Sequence, residues 1–110
     1  MPNVKLYVDE TVLPGCRADL IAALPGLRTM LCDVLKVDRA ACQFAILSVI
    51  AMPDLPQVNV ELHLLVHPDR TRAMLKSVAE AVQAQVAAVT GTHTVVRIAT
   101  LVPDIYFALK

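Results

Sequence analysis

A chain of 110 residues holds one core and not two, and its ten Lys and Arg balance its ten Asp and Glu. Zero net charge and 4% aromatic residues count against nucleic-acid or anionic-membrane binding, which draws on a basic surplus, and against a base-stacking platform. The chain is 56% hydrophobic with a mean hydropathy of +0.59. It nevertheless lacks the ~18–20 unbroken apolar residues of a membrane span, and no basic segment precedes an apolar one, so a cytoplasmic protein is expected.

The first element is a strand. Val4, Leu6 and Val8 alternate with Lys5, Tyr7 and Asp9, the period-two mark of one apolar face. From Asp19 to Lys36 the apolar positions 20, 24, 27, 31, 34 and 35 trace a helical stripe. Pro25-Gly26 interrupts the stripe without changing its phase, which predicts one kinked helix or two short ones end to end. Ala41 to Ile50 is a nearly unbroken apolar run and reads as a strand buried on both faces. Met52-Pro53-Asp54-Leu55-Pro56 is then a joint.

Beyond the joint, Val58, Val60, Leu62, Leu64 and Val66 share one strand face, with Asn59, Glu61, His63, Leu65 and His67 on the other. Asp69 is placed to cap a helix running to about Val89, which Gly91 stops. Val95 to Leu101 is the last strand, and Pro103-Asp104 turns the chain into the tail Ile105-Tyr106-Phe107-Ala108-Leu109.

The two halves repeat. An offset of 54 residues carries Pro2 onto Pro56, Leu6 and Val8 onto Val60 and Leu62, Pro14 onto Pro68, and Gln43–Leu47 onto Arg97–Leu101, with no gap. Each half is therefore a β-α-β unit, 1–54 and 55–110, inside one domain. Such a unit makes a right-handed crossover between parallel strands. Two in tandem predict an α+β fold, a four-stranded mixed sheet with both helices on one face. The other face is left bare, and so apolar a small chain would bury it against copies of itself. Lys5, Asn59 and Glu61 would then lie near clefts shared by subunits.

Little conventional chemistry is encoded. Cys16, Cys32 and Cys42 are odd in number and far apart, and read as buried free thiols. His63 and His67 stand too far apart along a strand to share a metal easily, and read as partly buried structural residues. The remaining candidate is Pro2. If Met1 is removed, Pro2 becomes an amino-terminal secondary amine whose pKa falls in an apolar cleft, making it a base or carbonyl-seeking nucleophile near neutral pH. A strand-initiating proline is the other reading, and Pro56 can be nothing else because its nitrogen lies within the chain.

Met1-Pro2 opening a strand, and two tandem β-α-β units filling the whole length, resemble the tautomerase superfamily. That group includes macrophage migration inhibitory factor, 5-carboxymethyl-2-hydroxymuconate isomerase and malonate semialdehyde decarboxylase. Three local features agree. Asp69-Arg70-Thr71 stands where the family often has Gly-Arg-Ser/Thr, Val96–Phe107 aligns with the isomerase's final strand and tail without a gap, and Asp104-Ile105-Tyr106-Phe107 looks like the Asp-Trp-Ser-Phe tail of decarboxylase-like members.

The resemblance implies a homotrimer with no cofactor and no metal, and with a small carboxylate or keto-acid substrate. Pro2 would be the base that moves a proton between carbon and oxygen. Arg70 would clamp the substrate carboxylate beside the helix dipole, Arg97 would be a second binding cation, and Tyr106 and Phe107 would wall the cleft. Each arginine has a second reading, as a helix-cap partner or a subunit salt bridge. The chain departs from the family where one-unit members carry a catalytic Arg on the second strand. Here Gln43 stands, able to donate a hydrogen bond but not to neutralise an anion. The first-turn Gly-Arg pair is likewise blurred to Gly15-Cys16-Arg17. Isomerisation is the leading reading, with decarboxylation or hydration, or a non-catalytic trimeric binding scaffold, as alternatives.

Overall fold

Strand β1 (Asn3–Asp9) realises the first alternation: Val4, Leu6 and Val8 are buried, while Asn3, Lys5 and Tyr7 are half-exposed. The computed structural model describes residues 2–110. Helix α1 (Leu13–Leu35) follows, then a single 3-10 turn (Arg39–Ala41) and strand β2 (Gln43–Val49). The second half supplies β3 (Val58–Leu65), α2 (Arg72–Thr90) and β4 (Thr94–Leu101). The strands form one sheet in the order β2-β1-β3-β4, with β1/β2 and β3/β4 parallel and β1/β3 antiparallel. Two crossover units side by side give this mixed sheet, as the duplication predicts.

Helix α1 differs from its expected limits. It begins at Leu13, because Pro14 falls in the first turn, where a missing N–H is not needed. Pro25 does not split it. Its ring removes the donor that the Ile21 carbonyl would use, but Ile21 and Pro25 both face solvent, so water can satisfy that oxygen. The stripe holds at Leu20, Leu27, Leu31 and Leu35, while Val34 is exposed.

The cap of α2 also moves. Thr71, not Asp69, is the N-cap, its hydroxyl accepting from the Met74 N–H at 3.2 Å. Asp69 is held one turn earlier, its N–H donating to His67 Nδ1 at 3.1 Å. At the other end Gly91 stops the helix in the left-handed region at φ 70°, as expected.

One face of the sheet carries the core. Leu20, Leu27 and Leu31 of α1 and Val78, Val82 and Val86 of α2 pack on Val4, Leu6, Val8, Val58, Val60, Leu62 and Leu64. Each contributes about 1.5–3 kcal/mol by leaving water. The opposite face has no covering element among the described residues. Across it the register aligns Gln43, Asn3, His63 and Ala99 in one row and Ala45, Lys5, Glu61 and Arg97 in the next.

Strand β2 is therefore not buried on both sides. It is an edge strand whose Phe44 and Ile46 pack on the core, while Gln43 and Ser48 are exposed and Ala45, Leu47 and Val49 only half-buried. Its apolar run faces the core on one side and the bare sheet surface on the other.

Asp9 locks the far end of β1. One carboxylate oxygen accepts from the Ala51 N–H at 2.8 Å, and the other accepts from the Thr11 N–H at 3.0 Å and from the Thr11 hydroxyl. The Thr11 hydroxyl first, then the Ala51 N–H, hold the carboxyl below its ordinary value. A folded-state pKa lower than the unfolded one makes this stabilisation complete above the unfolded value of about 3.9, and it is lost as pH falls through the folded value. The urea midpoint should thus fall on acidification below about pH 5. Asp9→Asn should flatten part of that dependence, and an unchanged slope in the variant would remove Asp9 from the explanation.

Candidate active site

The topology gathers the chemistry at one end of the sheet. Because β3 runs antiparallel to β1, the start of β1 and of β2, the end of β3 and of β4, the last turn of α1 and the first turn of α2 all lie at that end. Pro56, the internal counterpart of Pro2, enters β3 at the opposite end.

Pro2 is buried immediately before β1, and its carbonyl accepts from the Gln43 N–H at 3.0 Å. Its nitrogen stands at the strand start, where the ladder demands no donor. Met1, whose removal the amine chemistry requires, lies outside the described residues. Val4 follows Pro2 on the same face, and Cys42 lies one residue before its hydrogen-bonded neighbour.

All three cysteines are free and buried, as expected. Burial foremost, then the neighbouring Cys32 thiol, push Cys42 up to about 11, with the Arg28 charge acting in the opposite direction. Burial, then Asp19, raise Cys16. Both are neutral thiols at pH 7 and poor nucleophiles.

Arg70 lies at the same end and does structural work there. Its Nη1 donates to the Leu65 carbonyl at 2.7 Å and its Nη2 to the Leu35 carbonyl at 3.5 Å, tying the end of β3 to the end of α1. The helix-partner reading of this residue thus has a concrete form. Arg70 also borders two cavities. One, of about 340 Å³, is shared with Leu35, Lys36, His67 and Asp69. The larger, of about 510 Å³, is lined by Val66, Leu75 and Ile98 as its apolar floor and by Arg70, Arg72, Lys76 and Thr100 as its polar groups. No carboxylate lines the larger cavity.

Arg72 and Lys76 escaped the sequence reading. The signal was present, since Arg70-Thr71-Arg72-Ala73-Met74-Leu75-Lys76 holds three cations in succession and no acid. Residues 72 and 76 also share a helix face. Arg72 makes no hydrogen bond or ion pair with the described residues, whereas Lys76 pairs with Glu80 at 3.4 Å on the surface.

The other candidates stand apart from this cavity. Arg97 is on the bare sheet face, where its Nη1 donates to Asn59 Oδ1 at 3.0 Å. Gln43 is exposed at the start of β2, and joins Pro2 through its backbone. Tyr106 and Phe107 follow a turn in which the N–H groups of Ile105 and Tyr106 both donate to the Val102 carbonyl. Phe107 is 79% exposed and Tyr106 37%, and neither lines the cavities at Arg70. His63 and His67 are exposed rather than partly buried. Among the described residues no group of three or more His, Cys, Asp or Glu could hold a metal, and no helix is long and apolar enough to cross a membrane.

Comparison with solved structures gives the architecture a name. The chain superposes on a wild-type fused 4-OT, described as an asymmetric trimer, with a TM-score of 0.73 at 16% identity over 96% of this chain and 91% of that one. A member of the cis-3-chloroacrylic acid dehalogenase family gives 0.69 at 17% identity over 96% and 79%. Macrophage migration inhibitory factor from Toxoplasma gondii gives 0.69 at 11% identity over 96% and 95%. The fold is that of the tautomerase superfamily. No family model and no curated protein matches the chain. At such identities the likeness speaks for the tautomerase fold, and activity has to be argued from the site itself.

Proposed function

We propose that the protein is a cofactor-independent tautomerase, moving a proton on a small enol or α-keto acid with Pro2 as the base. One observation carries this reading. Pro2 is buried at the same end of the sheet as a cavity that presents Arg70, Arg72 and Lys76 and no acid.

The chemistry follows from the parts. An amino-terminal secondary amine in apolar surroundings is held below the ordinary ~7.7–8 of an α-amino group, because burial disfavours its charged form. It is then free to take a proton from carbon or an enol oxygen at neutral pH. Arginines bind a carboxylate bidentately and offset the negative charge that grows on the enolate oxygen. The positive end of α2 adds to the same field. The proton removed from the enol oxygen is returned to the carbon at the far end of the C=C bond as the C=O forms, or the reverse, so no external oxidant or reductant enters.

Phenylenolpyruvate ketonisation tests the reading, run on natively expressed protein whose intact mass shows loss of one methionine. Activity that appears only with the processed chain supports it. Processed protein with no ketonisation on this or related enol acids leaves a binding scaffold as the better description. The engagement of Arg70 with two backbone carbonyls favours that second reading.

The assembly proposed with this function is a homotrimer. The half-buried Ala45, Leu47 and Val49 on the uncovered sheet face, and the exposed Ile50, Ile105, Phe107 and Leu109, are apolar positions that neighbouring copies would cover. A fused 4-OT with the same fold is itself a trimer. Sedimentation at micromolar concentration should give a species three times the 11.9 kDa chain, and a monomer would overturn the assembly.

A further inference from the structure

A second cavity, of about 250 Å³, lies between α1 and β2 and is lined by Leu24, Pro25, Arg28, Cys42 and Phe44. It is separate from the Arg70 cavity, sharing none of its lining residues. Three features distinguish it from a packing defect. Its walls are apolar apart from one cation, since Cys42 is a neutral thiol and Leu24 and Phe44 both pack on the core. Arg28 is half-buried, and its Nε is sealed from solvent with no hydrogen-bond partner among the described residues. Buried donors are almost always paired, so this unpaired guanidinium N–H is an unmet demand for an acceptor, on a side chain that lines the cavity. No carboxylate among the lining residues competes for it. Finally, Cys42 precedes Gln43, whose N–H is bonded to the Pro2 carbonyl, so the cavity wall formed by Cys42 and Phe44 belongs to the Pro2 end of β2.

We propose that the α1/β2 cleft is an anion subsite in which Arg28 binds the carboxylate of a small, largely apolar acid. The site has a charge at one wall and hydrocarbon at the others, which selects a carboxylate carrying a single ring or short chain and not a phosphorylated or polyhydroxylated ligand. Its volume falls below the ~300 Å³ at which ordinary ligand pockets begin, which sets the same upper bound on size. At the same end of β2 as Pro2, the subsite rests on the proposed function and deepens it by adding a cation on the α1 side of the sheet. The binding claim itself does not need the chemistry to occur.

Benzoate, and benzamide as its uncharged isostere, are suitable probes, followed through the Arg Nε–H resonances of ¹⁵N-labelled protein. Benzoate should shift the Arg28 Nε–H and saturate, and benzamide should not. Arg28→Gln should weaken benzoate binding about tenfold or more, the loss expected for a charge-assisted pair. Arg28→Lys should recover part of it. Wild-type affinity in Arg28→Gln, or a benzoate response confined to Arg70 and Arg72, overturns the subsite. Should Arg28→Gln fail to fold, the wild-type Arg28 resonance decides alone. Pro2→Ala should bind benzoate normally, so failure of the tautomerase reading and failure of this subsite are separately visible.

Discussion

Pro2→Ala should lower kcat/KM for phenylenolpyruvate ketonisation by about 10²–10⁴-fold, the range a positioned proton-transfer group supplies. The substitution is a clean one. Alanine is small enough to leave methionine removal intact, so the variant still begins with an amine. The bond that fixes the strand start, Gln43 N–H to the Pro2 carbonyl, uses backbone atoms and survives. What changes is a rigid secondary amine becoming a mobile primary one. The pH dependence offers a second readout. A base acts when unprotonated, so kcat/KM should rise with pH through the pKa of the amine. If Met1 is removed, burial at the start of β1 should put that midpoint below the ~7.7–8 of a free terminus. Equal rates for wild type and variant would end the claim. A chain shown by intact mass to keep its first methionine would end it too, since Pro2 would then be a tertiary amide.

How far the sequence reveals this arrangement depends on what each residue has to satisfy. Val4, Leu6 and Val8, and Val58 through Leu64, announce their strands because each has one face in the core and one outside it. The gapless repeat then gives the sheet, since two crossover units in tandem leave few other ways to pair four strands. Strand β2 misleads for a related reason. Its apolar residues satisfy two demands, the core beneath and an uncovered sheet face above, and a single sequence does not say which chain covers the second. The helix caps are harder still. Asp69 and Thr71 are both good N-cap types, and the choice falls to Thr71 because His67 Nδ1 holds the Asp69 N–H in a separate turn. Nothing in the sequence separates Arg72 and Lys76, or Arg28, from cations on a solvated helix surface. Only the packing of α2 against β4, and of α1 against β2, turns those faces into cavity walls.

Arg70→Ala should cost both catalysis and stability, and the two losses can be separated. Its guanidinium holds the carbonyls of Leu65 and Leu35, and removing a charged donor from two partly buried acceptors should cost about 1–3 kcal/mol. If it also clamps the substrate carboxylate, kcat/KM should fall a further 10–100-fold or so. Arg72→Ala separates the roles. Arg72 lines the same cavity but is exposed and bonded to nothing among the described residues, so its loss should raise KM while leaving the melting temperature unchanged. Arg70→Lys lies between the two. One ammonium can reach a carbonyl but lacks the planar fork that serves two carbonyls and a carboxylate at once. Stability should therefore recover more fully than kcat/KM. If Arg72→Ala leaves KM unchanged and Arg70→Lys restores activity and stability in parallel, the basic cavity is not the carboxylate site. Arg70 would then be a strut between β3 and α1, and the anion would have to be sought at Arg28 or across a subunit boundary.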